Sequence, residues 1–376
     1  MVRRDDGLVR ALNDLVAIDS TSTRSNLPVI EALEHRLVAL GFSCERQRYV
    51  DEAGVEKANL LARLGSGLPE VALVGHTDCV PFDTGWSEAL RLTERDGKLF
   101  GRGACDTKAF IACAMTAAER VRPRLRQPVL LVFTADEELG CLGAKKLVEA
   151  NLGRTKRAVI GEPTQLRPIR ASKGYCLAEV EVLGQEGHSA YPDTGVSAIF
   201  RAARLIAQIE KYALGELRAE EDATFAPPFT TLNVGMVSGG RAKNVIPGSC
   251  RFTLEWRPLP GHDVEVVRRV IEGLIAGCAR DEPGFAATLR PLRLDQGFDT
   301  PPDADLVRLL ARLSGQAPAT VAFGTEGPQL AELGAVPVVF GPGDITVAHQ
   351  TGEHVPVAEL LRAAEILEGV LLELGG

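Results

Sequence analysis

Four short runs of almost unbroken apolar residues, at 71–75, 129–133, 158–161 and 336–340, constrain this chain more than any other feature. A strand with water on one face alternates polar and apolar side chains, whereas a strand covered on both faces does not. These runs, closed by polar or glycine-rich turns, therefore predict strands at the centre of a sheet with helices on both sides. Helical stretches at 108–121 and 143–151 separate several of them, and the alternation argues an α/β domain with a largely parallel core. Further helices are expected over 8–18, over 28–40 with Gly41 ending the pattern, and over 304–313.

The middle of the chain has a different period. Strands are expected at 176–183, 230–237, 249–256 and 287–294, and helices at 197–211 and 262–278. That β-α-β-β-α-β order is the ferredoxin-like pattern. Thr253-Leu254-Glu255-Trp256 alternates strictly, as a sheet with one covered face requires. The expected fold is a mixed, mostly parallel α/β domain built from residues 1–171 and 296–376, with a ferredoxin-like α+β domain of residues 172–295 inserted into it.

Composition narrows the function classes. The formal net charge is −8, and the arginines at 120–126 and 154–157 form short clusters flanking strands, so no basic face for nucleic acid is expected. No apolar run reaches the roughly 18 residues needed to span a membrane, and the charged residues 1–6 lead into no signal-like apolar segment. The eight cysteines form no CxxC pair, which argues against a finger-type zinc site and for a reducing, cytoplasmic setting. Gly65-Ser66-Gly67 lacks the full dinucleotide-binding fingerprint.

The informative pattern is where metal-capable side chains fall. His76 and Asp78 follow the run at 71–75, Glu137 and Glu138 the run at 129–133, Glu162 the run at 158–161, and His349 lies beyond the run at 336–340. Asp106 sits in a glycine-flanked turn just before the helix at 108–121. In open α/β sheets ligands bind outside the carboxyl ends of the strands. Each residue alone has a bland alternative: Asp106 as a helix N-cap, Glu137-Glu138 as a solvated turn, His349 as a loop histidine. Together they describe a centre for two divalent ions, Zn²⁺ first and Co²⁺ second. Asp106 is the natural bridge, His76 and Glu162 complete one ion, and Glu138 and His349 the other. Two Zn²⁺ against three carboxylates and a hydroxide is electrically neutral. Zinc lowers the pKa of bound water to about 7, which amide hydrolysis at neutral pH needs. Asp78, two residues from His76 in extended chain, can orient its imidazole. Glu137, left without an ion, can serve as general base and then acid. A non-catalytic metal scaffold would not need that free carboxylate.

The segments Gly75-His76-Thr77-Asp78, Gly101-Arg102-Gly103-Ala104-Cys105-Asp106-Thr107-Lys108, Asp136-Glu137-Glu138-Leu139-Gly140, Gly161-Glu162-Pro163-Thr164 and His349-Gln350-Thr351-Gly352-Glu353 resemble, in order, those of the dinuclear zinc aminoacylase and carboxypeptidase family. The resemblance implies a metal-dependent amidohydrolase acting on a small N-acyl amino acid. Cys105, Gly324-Thr325-Glu326 and Gly341-Pro342-Gly343 resemble the members that deacetylate acetylornithine in arginine biosynthesis. The chain departs from their usual pattern at Ala109, Ser172 and Gly327. Succinyl-diaminopimelate, acetylcitrulline, other acyl amino acids and dipeptides are the alternative substrates. The resemblance further implies that the inserted domain is a lid through which a homodimer forms, and that His188 polarises the scissile carbonyl. It also implies that Asn244 and Arg257 bind the substrate carboxylate, for which a bidentate guanidinium is apt. Glu326 is the candidate to receive a cationic substrate side chain.

Overall fold

The computed structural model describes residues 5–376. They form two compact units: one runs to Arg170 and adds Thr300–Ala319 and Thr325–Gly376, and the other comprises Ala171–Asp299 with Thr320–Gly324.

In the first unit, six strands lie in the order Ser43–Val50, Glu56–Leu64, Val129–Thr134, Val71–His76, Arg157–Ile160, Val336–Val339. The last four, which contain the apolar runs, are mutually parallel, with Val71 opposite Val129, His76 opposite Thr134 and Val336 opposite Arg157. Every residue of Val71–His76 and Val129–Thr134 is buried, as strands covered on both faces should be. Ser43–Val50 and Glu56–Leu64 extend the sheet antiparallel on one side.

The Lys108–Val121 helix is buried along nearly its whole length, and it shares one apolar core with Asp6–Val16 and Val357–Gly375 through Leu12, Val16, Ile111, Met115, Leu367 and Val370. Each such fully buried aliphatic side chain contributes roughly 1.5–3 kcal/mol of transfer free energy. The Asp6–Val16 helix is capped by Asp5, whose carboxylate accepts from the Gly7 and Leu8 amides. Close packing also explains a glycine beside the site. A Cβ on Gly161 would lie 2.2 Å from the Phe110 ring, so only glycine lets the helix at 108–121 approach the strand end that carries Glu162.

In the second unit, the four-stranded sheet has the order Thr231–Gly239, Ser249–Arg257, Tyr175–Leu183, Ala286–Asp295, antiparallel throughout. In chain order that is 2-3-1-4, the ferredoxin-like arrangement read from the other edge. Cys176, Ala178, Val180 and Val182 alternate with partly exposed neighbours and pack with Phe252, Leu254 and Trp256 against the helices Ala198–Leu214 and Val266–Asp281. Thr231–Gly239 is an edge strand, with Met236 and Val237 exposed. Gly187–His188 pairs separately with Val245–Ile246.

Candidate metal centre

Parallel strands that share a direction share a carboxyl end, and this is where the first unit collects its polar side chains. His76 ends one strand, and Glu137-Glu138 and Glu162 follow two others. Asp106 lies between two imidazoles. Its Oδ1 is 2.9 Å from His76 Nε2 and its Oδ2 is 3.2 Å from His349 Nε2. His349 Nε2 is also 3.1 Å from Glu138. The donor atoms of His76, Asp106 and Glu162 fall within 4.8 Å of one another, and so do those of Asp106, Glu138 and His349. Two three-residue groups thus share a single carboxylate that turns one oxygen toward each.

The donor set fits a pair of divalent cations. Two imidazole nitrogens and three carboxylates are the ligand types of zinc, cobalt and manganese sites. The charge distribution points the same way. Burial pushes the Glu137 carboxyl up to about 8, reinforced by Glu138, Glu326 and Asp106 against the opposing field of His76. Burial raises Glu138 and Glu162 as well, Glu162 with added repulsion from Asp106 and Glu137. Burial works on Asp106 too, but the hydrogen bonds of His349 and His76 outweigh it and hold this carboxyl well below the usual range. Contact with Asp106 and Glu138 lifts the His349 imidazole to about 10. A crowd of buried carboxylates that favours protonation is one that a cation would stabilise.

Asp78 lies against His76 Nδ1. The nearest partner of His76 Nδ1 is the Asp78 backbone carbonyl at 3.0 Å, with the Asp78 carboxylate at 3.6 Å. A carbonyl only accepts, so Nδ1 donates to it, and Nε2 is the nitrogen that faces Asp106 and would face an ion. The Asp78 carboxylate also accepts from the Glu137 amide at 3.1 Å, the Glu138 amide at 3.3 Å and the Ser22 hydroxyl at 3.1 Å.

Glu353 carries a quieter signal. It closes the His349-to-Glu353 segment, and nothing in its residue type separates it from a surface acid. In the structure it is buried. Its Oε1 accepts from the Cys105 amide at 2.9 Å and the Asp106 amide at 3.0 Å, and its Oε2 accepts from Arg102 Nη1 at 2.6 Å. It therefore grips the turn that presents Asp106. The Asp106–Thr107 peptide within that turn is cis. Gly343, at φ +94°, passes so close that a Cβ would lie 2.4 Å from Cys105 Sγ. Arg102→Met would strand Glu353 as a buried unpaired charge and is expected to cost about 3–5 kcal/mol. Urea denaturation of the metal-free protein measures it, and a loss under 1 kcal/mol would contradict the assignment.

Glu326 is 1% exposed, and its Oε1 has no hydrogen-bond partner among the described residues. Burial pushes its carboxyl up to about 7 against the field of His76. In the second unit, His188 and Asn244 are neighbours: His188 pairs with Val245, and the Ser189 amide donates to the Asn244 carbonyl at 3.1 Å. Both are exposed. Arg257 ends the Ser249–Arg257 strand, and its guanidinium lies 4.6 Å from the Tyr175 ring, as does that of Arg293.

The family model for peptidase family M20/M25/M40 matches residues 72–373, and the chain belongs to that family of hydrolases. Among curated relatives, the acetylornithine deacetylase of Myxococcus xanthus is 59% identical over 359 residues, covering 95% of this chain and 94% of that protein. The acetylornithine deacetylase of Proteus mirabilis (strain HI4320) is 35% identical over 366 residues, covering 96% and 94%. Among solved structures, a tripeptidase of Staphylococcus aureus aligns with a TM-score of 0.81 at 22% identity, over 99% of this chain and 98% of that one. The YxeP protein of Bacillus subtilis, a dinuclear metal binding peptidase, aligns with a TM-score of 0.68 at 16% identity, over 98% of each. At those identities the structural matches speak for the fold alone.

Proposed function

We propose that this chain hydrolyses the amide bond of a small N-acyl amino acid, with N2-acetylornithine as substrate and ornithine and acetate as products, a step that serves arginine biosynthesis. The observation that carries the reading is the Asp106 carboxylate with one oxygen turned to each of two imidazoles. Strong similarity to proteins named acetylornithine deacetylase directs it to that substrate.

His76 and Glu162 would hold one divalent ion, His349 and Glu138 the other, and Asp106 both. Zn²⁺ is the first choice and Co²⁺ the second. When bound, the pair supplies Lewis acidity toward the acyl oxygen and toward water. Glu137 accepts a proton from the attacking water on a carboxylate oxygen and delivers it to the amine nitrogen as the C–N bond breaks. His188 donates to the scissile carbonyl, Asn244 and Arg257 bind the substrate carboxylate, and the unpaired Glu326 Oε1 receives the side-chain ammonium.

The exposed edge strand Thr231–Gly239, and a groove of about 590 Å³ lined by Pro192, Val196, Ile199, Phe200, Val245 and Ile246, support a homodimer through this second unit. A solution mass of one chain would end that reading. Eight free cysteines support a cytoplasmic setting, and no helix among the described residues is long and apolar enough to cross a membrane.

The test is a panel of acetylornithine, acetylcitrulline, succinyl-diaminopimelate and acetylmethionine assayed with added Zn²⁺ or Co²⁺. Acetylornithine is expected to give the highest kcat/KM. A higher value for acetylcitrulline would remove Glu326 as an ammonium receptor, and no turnover of any of them would remove the reaction.

A further inference from the structure

The carboxylates of Glu137 and Glu138 hang from a turn with an unusual anchor. Asp136, just before them, adopts φ +54°, a left-handed conformation uncommon for a residue other than glycine. Its side chain is completely buried and belongs to neither three-residue donor group. Oδ1 accepts from Lys57 Nζ at 2.7 Å and Oδ2 from the Tyr49 hydroxyl at 2.9 Å. Lys57 is itself buried on the Glu56–Leu64 strand, and its ammonium also donates to the Ser22 carbonyl at 2.6 Å. The Ser22 hydroxyl donates to Asp78, and Asp78 accepts the amides of Glu137 and Glu138. One ammonium therefore joins both sides of the turn: the side chain of Asp136 on one, and on the other, through Ser22 and Asp78, the amides of the two glutamates.

We infer that Lys57, acting through Asp136 and Ser22, is the positioning residue that aims Glu137 and Glu138 into the metal centre. Lys57 is not a metal-ligating residue type and neither three-residue donor group includes it. Its ammonium presents several donors from one point, which suits a junction between two separate acceptors. Tyr49 completes the grip on Asp136 from the neighbouring strand. Loosening a partner of this kind, one remove from a ligand, typically lowers metal affinity or activity by roughly 10–100-fold. The inference rests on Glu138 as an ion ligand and Glu137 as the base.

Removing Lys57 alone would leave the buried Asp136 carboxylate without its countercharge, so the informative variant is the double substitution Lys57→Met with Asp136→Asn. Full-length metal-free protein is titrated with Co²⁺ and followed by visible absorption, and kcat and KM are then measured on acetylornithine. The double variant is expected to bind one Co²⁺ about 10–100-fold more weakly, with an altered spectrum, and to lose a similar factor in kcat while KM stays within about twofold. Tyr49→Phe, which removes one hydrogen bond and no charge, should shift affinity and kcat less and in the same direction. A folded double variant with wild-type Co²⁺ affinity, spectrum and kcat overturns the inference. If the double variant does not fold, an unchanged Tyr49→Phe overturns it instead. Wild-type protein that takes up no Co²⁺ overturns the metal-centre reading and this inference together; Co²⁺ uptake by wild type with unaltered variants overturns this inference alone.

Discussion

Glu137→Gln will retain two metal ions per chain and lose roughly 10²–10⁴-fold in kcat. The amide is nearly isosteric with the carboxylate and keeps the backbone hydrogen bond from the Glu137 amide to Asp78. It can also keep a contact with Cys141 Sγ, which lies 3.4 Å from the carboxylate oxygen. What it cannot do is accept a proton. Because Glu137 belongs to neither three-residue donor group, the ions should stay. Elemental analysis paired with steady-state assay separates the two effects. A variant with near-normal kcat would remove Glu137 as the base, and one stripped of metal would make it a ligand instead.

Asp106→Asn should do the opposite, emptying the centre rather than silencing it. Asp106 alone belongs to both donor groups, so one substitution withdraws a charged oxygen from each. An amide offers one neutral carbonyl oxygen where the carboxylate offers two anionic ones. The loss should exceed the 10–100-fold typical of an outer partner. Below one ion per chain after dialysis, and no measurable turnover, is the expected result. By contrast, His349→Ala should leave one ion held by His76, Asp106 and Glu162. Two tightly held ions in Asp106→Asn would show that the centre has some other bridge.

The chain announces its parallel core because strands buried on both faces are apolar throughout, and it announces the ferredoxin-like unit because strands buried on one face alternate. Nothing comparable marks Ser43–Val50. Its sequence, Ser-Cys-Glu-Arg-Gln-Arg-Tyr-Val, belongs to a sheet edge and is mostly polar. Glu56–Leu64 is buried yet contains Lys57 and Asn59, which break the apolar run. Val357–Gly375 buries residues on several faces, so its helical period is blurred. The metal-capable residues stood out because chemistry limits ligands to a few residue types and the sheet limits where they appear. Lys57, Tyr49 and Ser22 carry no such mark. Their partners lie 79, 87 and 56 residues away, and only the folded backbone pairs them.

The clip by Glu353 has a consequence for biosynthesis. It reaches back 248 residues to the turn that carries Asp106, and His349 reaches back 211 to Glu138. Between these segments the ribosome must deliver the whole second unit. On the proposed ligand set, a nascent chain is an open claw that cannot enclose both ions until residues 349–353 have followed the second unit out of the ribosome. If these residues are the ligands, loading of the second ion waits on the segment that supplies His349 and Glu353, however early the other donors emerge.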